Sequence, residues 1–269
     1  MNNQIKVGVQ LWPGGTLDYR TWRDAVIHAE RIGVNAIFGY DHFHRPAVEI
    51  VNGEPNLLPV QPDVNNFEGW TALASWGEVT STAQIGLLVT GIGYRNPDLL
   101  ADMARTVDHI SGGRLILGLG SGWYEKDYQV YGYDFGTTKS RMDLFEASLQ
   151  RVEDRLAALK PAPIRPIPIL IGGAGERRTM PLVARHADIW HSFLNLETFR
   201  KKNDLLKQLA SEAGRDPSKI ERSVQWPGSD NADAFVDEGV TLFTTEIHPT
   251  DEGYDFTEVN DMIAWRDRR

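Results

Sequence analysis

The chain has 269 residues, 41% of them hydrophobic and 24% charged, enough for a globular protein with a large buried core. Its 28 Lys and Arg against 37 Asp and Glu leave a net charge of −9, which argues against a general nucleic-acid binder or a partner of anionic membranes. With no cysteine, disulfides, thiolate nucleophiles, Cys-ligated zinc and iron–sulfur clusters are excluded. Residues 5–11 read as a strand. Residues 18–31 follow as a helix, with Trp22, Ala25, Val26 and Ala29 on one face. Then come strand 35–40, helix 68–80, strand 83–90, helix 97–110 entered through Pro97, and strand 114–119. The long amphipathic helix 139–159 is followed by strand 168–172, helix 176–186, strand 187–191 and helix 196–212, closed by Gly214. Strand 222–226, helix 232–238, strand 240–244 and helix 255–266 complete the chain.

Eight strand-then-helix units imply parallel pairing, and at this length a single closed (β/α)8 TIM barrel over residues 1–269, ahead of a doubly wound open sheet. The one long connection, 42–66, follows the second strand and so falls at the C-terminal face, where barrel enzymes keep their chemistry. Residues 1–6 carry no apolar signal core, and the longest charge-free apolar stretch, 83–94, is too short to cross a bilayer. A cytoplasmic location is the expectation.

Three segments can carry chemistry. His42, in Asp41-His42-Phe43-His44 just past the second strand, has a side chain that titrates near neutrality. Asp41 is placed to orient it or to stabilise its charged form, and the alternative is an ordinary hydrogen-bonded loop histidine. Gly118, Gly120 and Gly122 alternate, so an extended segment puts them on one face and clears room for a flat ligand or a close backbone. This run is neither a dinucleotide fingerprint nor a nucleophile elbow. Finally, Ile171-Gly172-Gly173-Ala174-Gly175-Glu176-Arg177-Arg178-Thr179 takes a strand through glycines into a helix start, a place where free N–H groups and the helix dipole hold anions. Arg177, Arg178 and Thr179 can add charge or donors; a plain tight turn is the other reading. The chain has no Walker-type phosphate loop.

Together these segments resemble the luciferase-like monooxygenase superfamily, and within it the deazaflavin (coenzyme F420)-dependent oxidoreductases. The resemblance rests on Asp41-His42-Phe43, on Gly86-Leu87-Leu88-Val89-Thr90-Gly91 with Tyr94-Arg95-Asn96-Pro97, on residues 108–114 with 118–123, and on 171–175 with Ala187-Asp188. It implies a barrel, often dimeric, with a tricyclic ring across the C-terminal mouth and the cofactor's side chain running to a phosphate site. Asp41 and His42 would face the ring. Leu88–Val89 would be a non-prolyl cis peptide behind it. Ser121 and Gly122 would lie near the ring or its side chain, and Gly172, Gly173, Ala174 and Gly175 would form the phosphate turn. Trp123 stands where some relatives acting on sugar phosphates carry a carboxylate, so a more apolar, aromatic substrate is expected. Pro181, early in its helix, is unusual for the pattern but tolerable in a first turn.

The expected reaction is hydride transfer between coenzyme F420 and a small organic substrate, with His42 handling the paired proton and Asp41 behind it. Trp12, His44, Trp123 and Tyr124 would line the substrate pocket. A homodimer is expected, with no resident metal and no nucleic-acid or membrane partner. FMN with oxygen is the alternative within the family. A metal-dependent hydrolase using His42 and His44, with His191 in reach, is the alternative from another class, and a non-catalytic deazaflavin binder is a third. No pair of carboxylates ends the fourth and seventh strands, which leaves a glycosidase unsupported.

Overall fold

A computed structural model describes residues 4–51, 54–58 and 62–269. The first three residues and positions 52–53 and 59–61 of the long connection lie outside the described residues. The barrel strands are β1 (Lys6–Leu11), β2 (Ala36–Gly39), β3 (Gln84–Leu87), β4 (Leu115–Gly120), β5 (Ile169–Gly172), β6 (Ile189–Ser192), β7 (Glu221–Gln225) and β8 (Val240–Ile247). All neighbours pair in parallel, in the order β3-β2-β1-β8-β7-β6-β5-β4. β4 pairs back onto β3 through Ile85↔Leu115 and Gly86↔Ile116, which closes the ring. A closed eight-stranded barrel is thus the architecture, as expected.

The helices are α1 (Tyr19–Arg31), α2 (Gly69–Val79), α3 (Pro97–Ile110), α4 (Glu125–Tyr131), α5 (Thr138–Ala158), α6 (Thr179–His186), α7 (Leu196–Glu212), α8 (Ser229–Asp237) and α9 (Thr257–Asp267). Strand residues that face outward, such as Val9, Ile37, Leu117, Trp190 and Phe243, pack with helix residues such as Trp22, Trp76, Leu149 and Met262 into one large core. Inward-facing Ala36, Phe38, Ile116, Leu170, Ile189 and Leu242 fill the barrel with Leu88 and Val89. Both faces are apolar, which is why these strands read as continuous hydrophobic runs.

Polar side chains that cap from outside set the helix starts: α1 and α2 begin one residue after the expected position and α3 at it. Asp18 accepts the N–H of Thr21 at 2.7 Å, Glu68 that of Thr71 at 2.6 Å, and Asn96 that of Asp98 at 2.9 Å. β8 runs on to Ile247, because β1 offers partners as far as Leu11. α6 begins at Thr179 rather than at residue 176: the chain makes a wide turn first, with the Met180 N–H reaching the Gly175 carbonyl at 3.0 Å. Pro181 then falls in the first turn, where its missing N–H is tolerated.

Some elements among the described residues were not anticipated, short helical turns at Ile92–Tyr94 and Pro217–Lys219 among them. Residues Val48–Val51 and Glu54–Leu57 form an antiparallel hairpin inside the long connection. α4 lies in the segment after β4, and a two-residue pair, Pro249–Thr250 with Gly253–Tyr254, follows β8.

The predicted third strand, 83–90, is interrupted. β3 ends at Leu87, the Leu88–Val89 peptide is cis, and Thr90–Gly91 resumes pairing with Leu119 and Gly120 of β4. Gly118 sits against this break. A Cβ there would collide with the backbone carbonyl of Leu87, which cannot swing aside as a side chain can. Gly118→Ala is therefore expected to destabilise the fold by about 3 kcal/mol, at the upper end of ordinary overpacking costs. Urea unfolding measures this, and a loss below about 1 kcal/mol would contradict the packing argument.

Candidate active site

β2 delivers Asp41 and His42 to the C-terminal mouth. Asp41 is buried at 2% exposure, and of its two expected roles the orienting one is not seen: its hydrogen bonds go elsewhere, while its charge still acts on His42. Its two oxygens take a bidentate pair from Arg95, at 2.6 and 2.8 Å, and the Gly91 N–H at 3.2 Å. Arg95 also reaches Glu68 at 2.8 Å. Burial pushes the Asp41 carboxyl up, to about 6, against the pull of the Arg95 guanidinium. Asp41 thus ties the end of β2 to the chain after β3 and to the start of α2.

The group that orients His42 is Asp127, on α4. Its fully buried carboxylate accepts five hydrogen bonds: from His42 Nδ1 at 2.8 Å, His44 Nδ1 at 2.8 Å, Tyr94 Oη at 3.1 Å, the Phe43 N–H at 3.2 Å and the His44 N–H at 3.1 Å. Burial acts to raise the Asp127 carboxyl, but the hydrogen bond and charge of His42, then the bonds from His44 and Tyr94, hold it below its ordinary value. An ionised carboxylate only accepts, so Nδ1 of each imidazole carries a proton. Nε2 of His42 is then the atom free to take or give one. The His42 ring stands edge-on to Tyr40, Trp123 and Tyr124, with centroids 5.5, 5.3 and 5.5 Å away. Trp12 extends this wall from Tyr40 to His248, at 5.0 and 4.2 Å. Trp12, Trp123 and Tyr124 therefore belong to one aromatic wall around His42, while His44 shares Asp127 with it and packs towards Tyr131 at 6.2 Å.

The floor beside this wall is backbone and small side chains. Gln10 Nε2 donates to the Leu88 carbonyl at 2.5 Å, and its Oε1 accepts from Trp12 Nε1 at 3.0 Å. The Leu88 N–H donates to the Gly39 carbonyl at 2.9 Å. A Cβ on Gly120 would stand 2.7 Å from Val89 Cγ2, and one on Gly172 would stand 3.7 Å from Val89 Cγ1. Gly118 and Gly120 thus make room for a close backbone and for Val89. Gly122 does not continue that face. It lies beyond β4 with φ +77°, and its bare Cα admits the Tyr128 hydroxyl. Ser121, half-buried, stands between them at the mouth.

The Gly172–Gly175 segment leaves β5 at the same mouth. Gly173 has φ +105°, donates to the His191 carbonyl at 3.0 Å and accepts from Trp190 Nε1 at 2.8 Å. The N–H groups of Ala174, Gly175 and Glu176 have no partner among the described residues. Arg178 is drawn away from this turn: it pairs with Asp143 at 2.8 Å and Glu146 at 3.3 Å on α5. Arg178 is therefore turned from any anion at this turn.

The metal-site arrangement is not assembled. His42 and His44 share Asp127 through Nδ1, while His191 is buried in the barrel and bonded to Ser223 Oγ at 2.9 Å. Among the described residues, no group of three or more His, Asp or Glu side chains is placed to hold a metal ion. Also among the described residues, no helix is long and apolar enough to cross a membrane.

Asp127 was missed because it lies 85 residues from His42 on an unanticipated helix. The signal was present: Tyr124, Tyr128 and Tyr131 recur at helical spacing, with Asp127 beside them. Asp127→Ala would leave five donors without an acceptor and is expected to cost about 3 kcal/mol or more in urea unfolding. A loss below about 1 kcal/mol would show that water serves those donors equally well. His191 supplies a second test. Burial lowers its pKa to about 3, from 6.5, so between those values the unfolded chain binds a proton that the folded chain does not. Stability contributed by neutral His191 is therefore lost as pH falls through that window. Relative to His191→Leu, the native protein should lose about 1.4 kcal/mol per pH unit. Denaturant titrations at roughly pH 6, 5 and 4 measure it, and parallel curves would refute it.

A family model described as luciferase-like monooxygenase matches residues 5–228. An uncharacterised protein of Mycobacterium tuberculosis (strain ATCC 25618 / H37Rv) is 25% identical over 252 residues, spanning 86% of this chain and 89% of that one. Among solved structures, an F420-dependent secondary alcohol dehydrogenase in complex with an F420–acetone adduct superposes with a TM-score of 0.76. It is 15% identical and covers 93% of this chain and 95% of its own. The oxygenating constituent of the 3,6-diketocamphane monooxygenase of Pseudomonas putida, in complex with FMN, superposes with a TM-score of 0.62 at 18% identity. That likeness covers 82% of this chain and 66% of the other. The two structures attest to a shared fold. With the family model matched over 5–228 and the closed barrel in place, the chain belongs to the luciferase-like monooxygenase family.

Proposed function

We propose that this protein is a deazaflavin (coenzyme F420)-dependent oxidoreductase that transfers a hydride between the cofactor and a small, rather apolar organic molecule. The observation that carries the proposal is the meeting at one mouth of a flat floor cleared by glycines and an imidazole held by a buried carboxylate. The floor suits a planar heterocycle, since Gly118 and Gly120 let the Leu87–Val89 segment lie close against β4 and Gly172 adds no side chain beside it. The unpartnered N–H groups at Ala174, Gly175 and Glu176 suit the phosphate of the cofactor's side chain. When bound, the cofactor supplies a two-electron, hydride-transferring carbon centre.

The chain's own residues do the rest. His42 exchanges the paired proton through Nε2, while Asp127 fixes the ring and stabilises its charged form. His44, on the same carboxylate, lies beside the substrate. Trp12, Trp123 and Tyr124 give that substrate an apolar aromatic wall and keep water from it. The choice of the deazaflavin is supported by the Asp41-His42-Phe43 and Ser121-Gly122-Trp123 segments, and by the more complete overlay on the F420-dependent dehydrogenase. FMN with oxygen is the competing reading, supported by the FMN-bound relative.

Fluorescence titration of the purified protein with oxidised F420 and, separately, with FMN tests the choice. Tighter binding of the deazaflavin is expected, whereas preference for FMN moves the reading to a flavin monooxygenase. With a turnover assay in hand, His42→Ala should lower the rate by about 100-fold or more at unchanged cofactor affinity. An unchanged rate removes His42 from proton transfer.

A further inference from the structure

The N-terminal end of the barrel, opposite the Asp127 mouth, carries a cleft of about 970 Å³ where β1, β7 and β8 begin and α7 passes. Its size lies within the roughly 300–1,000 Å³ of small-molecule sites. Gln4, Lys6, Asn203, Lys207, Lys219 and Arg222 are among the residues that line it. Arg222, on β7, is 6% exposed. Its Nε donates to Asn203 Oδ1 at 3.0 Å, and its Nη1 donates to the Pro217 and Ile220 carbonyls. These three acceptors are neutral, so they fix the guanidinium in place without balancing its charge. Among the described residues no carboxylate pairs with it, and burial lowers its pKa with no opposite charge to offset the shift. Nη2 has no hydrogen-bond partner among the described residues, yet it keeps surface in contact with solvent. The carboxylates that line the cleft are committed elsewhere: Glu221 to Lys6 at 2.5 Å and Thr241 at 2.8 Å, Glu238 to Arg200 at 2.7 Å, and Asp216 to Ser218 at 2.9 and 2.8 Å. Lys219, exposed at the rim, likewise has no ion-pair partner among the described residues. A nearly buried cation without a counter-ion is costly, and an anion entering this cleft relieves that cost.

We propose that this cleft binds the phosphate group of a small polar organic molecule through Arg222 Nη2 and the Lys219 ammonium. A carboxylate is the poorer fit. It pairs best with two parallel guanidinium nitrogens, and Nε and Nη1 of Arg222 are already engaged. A tetrahedral dianion takes single donors from several directions, which Nη2 in the wall and a flexible lysine at the rim supply. The volume leaves space beside the phosphate for the rest of the molecule, against Gln4 and Lys207. The site is separate from the cofactor reading, because none of its residues belongs to the mouth around His42.

Isothermal titration calorimetry of the full-length protein with inorganic phosphate, at an ionic strength held constant with chloride, tests the site. Saturable binding is expected, with a Kd of about 1 mM or below. Arg222→Lys keeps the charge but removes Nη2, and should weaken phosphate binding about 10-fold. Lys219→Ser changes an exposed side chain, should fold as wild type, and should weaken binding about 5-fold. Should Arg222→Lys not fold, Lys219→Ser decides alone. Acetate should bind wild type about 10-fold more weakly than phosphate. Wild type that shows no saturable phosphate binding overturns the proposal. So does wild-type affinity in both variants, which would put the phosphate elsewhere, such as the turn at Ala174–Glu176. Acetate bound as tightly as phosphate overturns the choice of ligand class. None of these outcomes bears on the F420 and FMN titrations, so the two readings fail separately.

Discussion

A buried carboxylate is tolerated only when its oxygens are supplied with donors, and Asp127 is supplied with five. Four come from one tripeptide, residues 42–44 after β2, and one comes from Tyr94 after β3. The loops leaving β2, β3 and β4 therefore converge on a single anion. Their positions are set by these polar bonds as well as by apolar packing. Charge-assisted hydrogen bonds define directions as well as distances, so His42 presents Nε2 in one orientation rather than several. Asp41, the residue before His42, has the complementary role: with Arg95 and Glu68 it fastens the ends of β2 and β3 and the start of α2 from the outside. Two carboxylates close to one histidine thus divide the work: one maintains the frame, and the other aims the ring.

The floor follows a different logic. There, position is set by what is missing. Gly118 lets the Leu87 carbonyl approach, Gly120 admits Val89, and Gly172 keeps the strip between β4 and β6 clear. Gln10 and the Gly39 carbonyl fasten the Leu88 backbone from the opposite side. The result is a surface made largely of main chain and one valine.

Most of the barrel was legible in the sequence because its strands are apolar on both faces and its helices carry clean amphipathic stripes. α1, α3 and α7 begin within a residue or two of their expected positions for that reason. The antiparallel pairing of Val48–Val51 with Glu54–Leu57 went unread because the surrounding Pro, Asn and Glu give the segment a loop's composition. The helical start at residue 176 was read too early, since glycine conformations after β5 are not encoded in periodicity. Of the aromatic wall, Trp12, Trp123 and Tyr124 were singled out from the sequence as residues just past strand ends, whereas Tyr40 and His248 were not. The partner of His42 was not. A contact spanning 85 residues leaves no local pattern, and an adjacent Asp41 offered a nearer and mistaken candidate.

The division between floor and wall bears on how such a protein changes over time. Trp123 and Tyr124 lie in the segment after β4, and Trp12 in the segment after β1, outside the strand register that closes the barrel. Exchanging them alters the cavity's shape and polarity while the glycine floor and the Asp127 anchor stay as they are. Steps at Trp123 or Tyr124 thus leave the barrel closed, whereas a side chain at Gly118 meets the Leu87 carbonyl and one at Gly120 meets Val89.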